Sequence, residues 1–213
     1  MFGTSTFYRL YIMNKRIEPK MFETLRFVVA GAEKLSPKVQ EDFKQRFNKD
    51  ILEGYGTTET SPVASCNLPD VLIDDNSIQQ AQKRGSVGMP IPGTSIKIVD
   101  PTSFEILPIG QEGMVLIGGV QIMKGYLNDE VKTNSVIKII DNKSWYVTGD
   151  KGKFDRDGFL TIMDRYSRFA KLAGEMISLG AIESKLVTLV DKEEVDYVVT
   201  SIQDEKKGEK IIL

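Results

Sequence analysis

Ile51-Leu52-Glu53-Gly54-Tyr55-Gly56-Thr57-Thr58-Glu59-Thr60 is the stretch on which the reading of this chain turns. An apolar start leads into an aromatic ring, a flexible glycine, hydroxyls and one carboxylate, an order that suits a bound nucleotide. Tyr55 offers a face to a base, Gly56 lets the chain turn, Thr57 and Thr58 can donate to phosphate, and Glu59 can hold a hard cation such as Mg²⁺ through oxygen. The alternative is a strand end followed by a polar turn, and ten residues alone do not separate the two.

Upstream, residues 25–30 form a second apolar run. Between the two runs Ser36-Pro37 opens a helix, with serine as N-cap and proline at the first helical position, and Val39, Phe43 and Phe47 recur every four residues on one face. Strands over 25–30 and 50–53 joined by that helix imply parallel pairing, with ligand loops at the carboxyl ends, where Gly31 and Tyr55 fall. Phe7, Tyr8, Leu10, Tyr11 and Ile12 are dense enough for a buried helix.

Downstream, residues 61–84 read as polar and irregular, and short β-type runs over 95–99 and 114–117 begin a β-rich part. Asp155-Arg156-Asp157-Gly158 is a hairpin turn between strands over 146–154 and 159–163, because Asp-Gly accepts positive φ. Residues 165–167 show no element and are placed as a hinge. Beyond it, 169–179 form a hairpin around Gly174, Ile182, Leu186 and Leu189 mark a helix, and 195–202 alternate like a strand. Lys206-Lys207-Gly208-Glu209 turns into 210–213, read as an apolar edge strand open to association.

With 28 basic and 30 acidic side chains the chain is mildly negative and carries no basic stripe, so nucleic acid is not an expected partner. Cys66 is the single cysteine and forms no internal disulfide, which fits a reducing cytoplasm. The absence of histidine excludes a Ser-His-Asp triad, and no cysteine cluster points to a metal-hydrolase site. No stretch reaches the ~20 apolar residues of a membrane span, and Met1-Phe2-Gly3-Thr4-Ser5 lacks the charged start of a signal peptide.

An ordered set of further segments gives the resemblance its weight. Leu25 to Ala32 is similar to the strand and small-residue loop beside adenine in the adenylate-forming superfamily, and Tyr55 to Glu59 to its Tyr-Gly-x-Thr-Glu element. Gly85-Ser86-Val87-Gly88, Lys124-Gly125-Tyr126 within residues 118–127, Trp145 to Asp150 and Asp157-Gly158-Phe159-Leu160 follow in the family's order. Arg168-Phe169-Ala170-Lys171-Leu172-Ala173-Gly174-Glu175-Met176-Ile177-Ser178-Leu179 most resembles the bifunctional 2-acylglycerophosphoethanolamine acyltransferase/acyl-ACP synthetase subgroup. Asp164-Arg165-Tyr166-Ser167 departs from the usual Gly-Arg-x-Asp, so the glycine and the acidic hinge residue are missing.

The resemblance implies an α/β fragment of the adenylate-forming fold: part of the large AMP-binding domain over 1–84, a β-rich subdomain over 85–164 and a partial α+β lid over 165–213. It implies an AMP-forming acyl ligase using ATP/AMP and Mg²⁺, a fatty acyl chain, and acyl carrier protein or CoA as thiol acceptor. Tyr55 would stack adenine, Gly31 and Ala32 would line its other side, and Gly56, Thr57 and Thr58 would follow the phosphates. Thr58, binding the α-phosphate, and Glu59, supporting Mg²⁺, would serve catalysis, while Asp150 takes the ribose hydroxyls and Arg165 adds a permanent charge near ribose or phosphate. Glycine at 174 would serve either a pantetheine arm or a tight turn. Relatives in the family are more than twice this length; no phosphate loop ending in Pro-Lys precedes Tyr55 and no lysine-bearing lid segment follows. The expectation is a truncated middle and partial lid, inactive alone, a non-catalytic binding remnant, or a split enzyme completed by a neighbouring gene product. It would be cytoplasmic, or peripheral at the inner membrane as part of a full-length acyltransferase.

Overall fold

The computed structural model describes residues 1–74, 77–172, 175–189, 198–204 and 208–213. The chain divides into two compact units, Met1–Thr148 with Gly152–Ile162, and Gly149–Lys151 with Met163–Leu213.

The first unit opens with strand β1 (Phe2–Gly3) and helix α1 (Ser5–Met13), whose N-cap Thr4 accepts from the Phe7 N–H. Only one stripe of α1 turns inward: Tyr8 is buried, whereas Phe7 and Leu10 are exposed. β2 (Val29–Ala30), α2 (Pro37–Phe47) and β3 (Leu52–Tyr55) are the anticipated strand-helix-strand unit, and the two strands pair in parallel, Val29 opposite Leu52 and Ala30 opposite Glu53. Both strands are shorter or shifted relative to the runs over 25–30 and 50–53, since only part of each apolar run has a ladder partner. Pro37 stands in the first turn of α2, but the Ser36 side chain makes no capping bond; Asn48 ends the helix in the left-handed region.

Val39, Phe43 and Phe47 of α2 are buried against Tyr8, Phe22, Val28, Ala30 and Ile51. Phe43 meets Tyr8 edge-on at 5.2 Å and Phe22 at 5.5 Å, the T-shaped arrangement that aligns ring edge with ring face. The Arg46 guanidinium donates to the carbonyls of Ile12, Asn14 and Ile17, satisfying the end of α1.

Residues 61–84 are not irregular. β4 (Ser65–Cys66) pairs antiparallel with β3, while β5 (Val71–Asp74) and β6 (Ser77–Gln79) make a separate hairpin. The polar composition hid β4, whose backbone bonds do not depend on an apolar pattern: Ser65 is buried and donates its hydroxyl to the Val87 carbonyl. β7 (Met89–Pro90) completes a sheet in the order β1-β2-β3-β4-β7.

β8 (Thr94–Val99) and β9 (Gly113–Gly119) pair antiparallel from Thr94 opposite Gly119 to Val99 opposite Met114, containing both anticipated runs. Helix α3 (Glu130–Val136) and β10 (Ile137–Ile140) lead to the long β11 (Lys143–Phe154), and β12 (Leu160–Arg165) pairs with β11. The Asp155–Gly158 turn forms as expected, with Gly158 at φ 85 and its N–H donating to the Asp155 carbonyl. Ile98, Val115, Ile117 and Leu160 bury against Ala64 to form this part's core.

In the second unit Arg165 is the last residue of β12, and Tyr166–Arg168 is a 3₁₀ turn, so the segment read as elementless is ordered into regular structure. β13 (Phe169–Leu172) and β14 (Glu175–Ser178) form the anticipated hairpin, whose Gly174 lies outside the described residues, and α4 (Leu179–Leu189) follows. β15 (Thr200–Asp204) begins later than the run over 195–202, of which 195–197 are outside the described residues, as are Lys206 and Lys207. β16 (Gly208–Ile212) is not an edge: the order β14-β13-β16-β15 puts it inside the sheet, with Thr200 opposite Ile212. It pairs with β15 along its length and with β13 at Leu172 opposite Gly208, and Ile211 packs with Ala170, Leu179 and Val199.

Candidate functional site

The first unit carries the loop from Tyr55 to Glu59. Parallel β2 and β3 deliver Gly31 and Tyr55 to the same, carboxyl-terminal end of the sheet. A Cβ placed on Gly31 would lie 3.6 Å from the Gly54 carbonyl, so the two loops run side by side there. Ala32 holds φ 68, a conformation that few non-glycine residues adopt.

After β3 the chain tightens sharply. A Cβ at Gly56 would stand 1.9 Å from the Pro62 carbonyl oxygen, so only glycine passes at this point. Thr57 then caps a 3₁₀ turn over Thr58–Thr60; its N–H donates to Thr60 Oγ1 at 3.0 Å, and buried Thr60 donates back to the Thr57 carbonyl at 3.0 Å. Thr58 is exposed at the tip. Glu59 Oε1 accepts from the Tyr126 hydroxyl at 2.7 Å, and the Glu59 carbonyl accepts from the Met123 N–H at 2.9 Å. Partial burial works to raise the Glu59 pKa, but hydrogen bonds led by the Tyr126 hydroxyl, with Tyr146 contributing, hold it below the usual carboxylate range. The same bond pushes the Tyr126 phenol well above its ordinary value.

Glu53 is not among the candidates that the sequence offers. It stands two positions before Tyr55 on the same face of β3, half-buried, and burial pushes its carboxyl up to about 7, with Lys34 pulling the other way. The signal was an acid inside an otherwise apolar strand start. Tyr126 has no local sequence signal of this contact, because its partner Glu59 lies 67 positions away.

The second unit holds the remaining two candidates. Asp150, on β11, is 4 % exposed, and its Oδ1 lies 3.4 Å from Arg165 Nε, whose side chain is largely exposed. The structure therefore groups Gly31, Ala32, Tyr55, Gly56, Thr57, Thr58 and Glu59 in the first unit, and Asp150 with Arg165 in the second.

Among the described residues no group of three His, Cys, Asp or Glu forms a protein-built metal cage. Mg²⁺ commonly uses one or two carboxylates and completes its shell with substrate phosphates and water. Glu59, ionised and beside hydroxyl-bearing Thr57 and Thr58, fits that habit. No helix among the described residues is long and apolar enough to cross a membrane.

These features define a class that the comparisons then identify. The pattern of the family described as AMP-binding enzyme matches residues 1–127. The chain belongs to the AMP-binding enzyme family. It is 36% identical over 193 residues to a 4-coumarate–CoA ligase-like protein of Arabidopsis thaliana, covering 89% of this chain and 31% of that protein. It is 32% identical over 198 residues to a long-chain-fatty-acid–CoA ligase of Salmonella typhimurium, covering 93% of this chain and 33% of the relative. Among solved structures, ATP-bound MatB from Rhodopseudomonas palustris superposes with a TM-score of 0.80 at 26% identity, over 99% of this chain and 39% of that one. The α/β fold is that of adenylate-forming enzymes, and the chain spans about a third of the length of these two curated relatives.

Proposed function

We propose that this chain is a region of an AMP-forming acyl ligase, closest to the acyl-ACP or acyl-CoA synthetase type. The observation that carries the reading is the Tyr55–Glu59 loop, set at the carboxyl end of parallel strands beside Gly31, with its carboxylate ionised and anchored. In the reaction a carboxylate oxygen attacks the α-phosphorus of ATP and pyrophosphate leaves. A pantetheine thiol then attacks the acyl carbonyl, and AMP leaves with the bonding pair. Joining AMP to the acid converts a poor leaving group into a good one.

Under this reading Tyr55 stacks the purine, Gly31 and Ala32 line its far side, and Gly56 lets the backbone approach. Thr58, exposed at the tip, donates to phosphate oxygens, whereas the Thr57 hydroxyl is buried and its N–H is taken by Thr60. Glu59 would hold Mg²⁺, which neutralises charge developing on the phosphates. Asp150 accepts from the two ribose hydroxyls, while Arg165, its ion-pair partner, adds charge nearby. The division into 1–84, 85–164 and 165–213, and the acceptor being acyl carrier protein rather than CoA, belong to the same proposal.

Acyl-dependent ATP–pyrophosphate exchange tests it. The chain by itself is expected to bind AMP weakly and to show negligible exchange. Exchange restored by mixing with a neighbouring gene product, and abolished by Asp150→Ala, supports a split enzyme; no AMP binding by the folded chain sinks the reading.

A further inference from the structure

Glu59 is gripped twice by one short segment. Its carbonyl accepts from the Met123 N–H, and its carboxylate accepts from the Tyr126 hydroxyl. That segment has its own brace. The Tyr126 N–H donates to Thr133 Oγ1 at 2.9 Å, and Thr133 donates to the Asp129 carbonyl at 2.8 Å. Asp129 caps α3 by accepting from the Lys132 N–H at 2.9 Å, and the Lys132 ammonium sits 4.2 Å from the centre of the Tyr126 ring. Gly125 holds φ 154, and a Cβ there would lie 2.8 Å from Thr133 Cγ2, so the fit of segment against helix is close.

Hydrophobic packing does not account for this brace. No residue of α3 is buried, and Leu127 and Val131 are 90% and 84% exposed. The first turn of α3 contributes a threonine acceptor and a lysine cation, both directed at one tyrosine. That tyrosine in turn meets the acid of the phosphate-side loop.

We propose that Tyr126 is a positioning residue for Glu59: braced by Thr133 and Lys132, it occupies one carboxylate oxygen and sets the orientation in which Glu59 meets a divalent cation carried on nucleotide phosphates. The inference rests on the reading of Glu59 given above. A purely architectural tyrosine would hold residues 123–129 in place without changing cation affinity. A positioning tyrosine changes the affinity itself, because an unanchored carboxylate must be ordered when the cation arrives.

The probe is Mn²⁺ with ATP, its binding to the full chain read from water-proton relaxation. Tyr126→Phe keeps the ring over Lys132 and removes only the hydroxyl. It is expected to weaken ATP-dependent Mn²⁺ binding about tenfold, the scale of a hydrogen bond to a charged group, while leaving metal-free AMP affinity unchanged. Thr133→Val, which removes the acceptor for the Tyr126 N–H and spares the phenol, is expected to weaken it severalfold, and serves where Tyr126→Phe does not fold. Glu59→Gln is expected to lose the ATP-dependent binding. Unaltered Mn²⁺ affinity in both Tyr126→Phe and Thr133→Val, beside its loss in Glu59→Gln, overturns the positioning role and leaves the reading of Glu59 standing. Equal affinity in the unmodified chain and Glu59→Gln, or no ATP-dependent binding by the unmodified chain, overturns both.

Discussion

The Ser178 hydroxyl donates to Asp164 Oδ2 at 2.7 Å, joining the residue just before Arg165 to the start of α4. The same oxygen accepts from the Gly180 N–H at 3.1 Å, and Ser178 Oγ accepts from Ala181 N at 3.0 Å, so serine and aspartate together satisfy the helix's first amides. Asp164→Ala should therefore cost about 1–2 kcal/mol of second-unit stability, the scale of a lost cap. Amide exchange at Gly180 and Ala181 measures it; unchanged protection there would show that the cap contributes nothing.

Gly56→Ala should disrupt the loop that carries Thr57, Thr58 and Glu59, since the added methyl would overlap the Pro62 carbonyl at 1.9 Å. A backbone atom cannot step aside as a side chain does. A loss of about 2 kcal/mol or more is expected in urea unfolding, together with loss of AMP binding.

Glu53 makes stability depend on pH with a defined sign. Its carboxyl titrates at about 7 in the folded chain against 4.5 for the ordinary group. Below 4.5 both states hold the proton and nothing is lost. Between 4.5 and about 7 the unfolded chain ionises first, so folded-state stability falls through that window and the loss is complete above it. Glu53→Gln should flatten this slope. Denaturation midpoints of the two chains, compared across the window, should diverge as pH rises, and parallel curves would contradict the burial effect.

Tyr8 donates its hydroxyl to the Val29 carbonyl at 2.6 Å, and burial, with Tyr11 nearby, pushes its pKa up to about 12. Tyr8→Phe should cost about 1 kcal/mol, one intramolecular hydrogen bond, with the ring still packed on Phe43. Ultraviolet titration should find two phenols, Tyr8 and Tyr126, resisting ionisation through pH 10–12, and one fewer in the variant.

What was legible in the sequence had a local cause. Val39, Phe43 and Phe47 recur at helical spacing, and Asp157-Gly158 dictates its turn, so α2 and the β11–β12 hairpin could be read directly. Helix α3 could not: it buries nothing, so no apolar stripe marks it, and its threonine, asparagine and valines are weak helix formers. Its one local sign was Asp129 as a cap. The placement of β16 inside its sheet was equally hidden, because strand order depends on partners remote in sequence. At the candidate site the loop from Tyr55 to Glu59 was readable as a motif, whereas the grip of Tyr126 on Glu59 is a tertiary event.

Strand β11 is shared property. Lys143–Phe154 is one unbroken strand, yet its centre, Gly149–Lys151, groups with the second unit while the residues on either side group with the first. The chain therefore cannot be cut into two self-contained pieces at any single bond. A fragment beginning at Met163 would leave Asp150 behind and strand Arg165 without its ion-pair partner. A piece carrying the second unit of this chain is therefore a discontinuous one: three residues from the middle of a strand must travel with it.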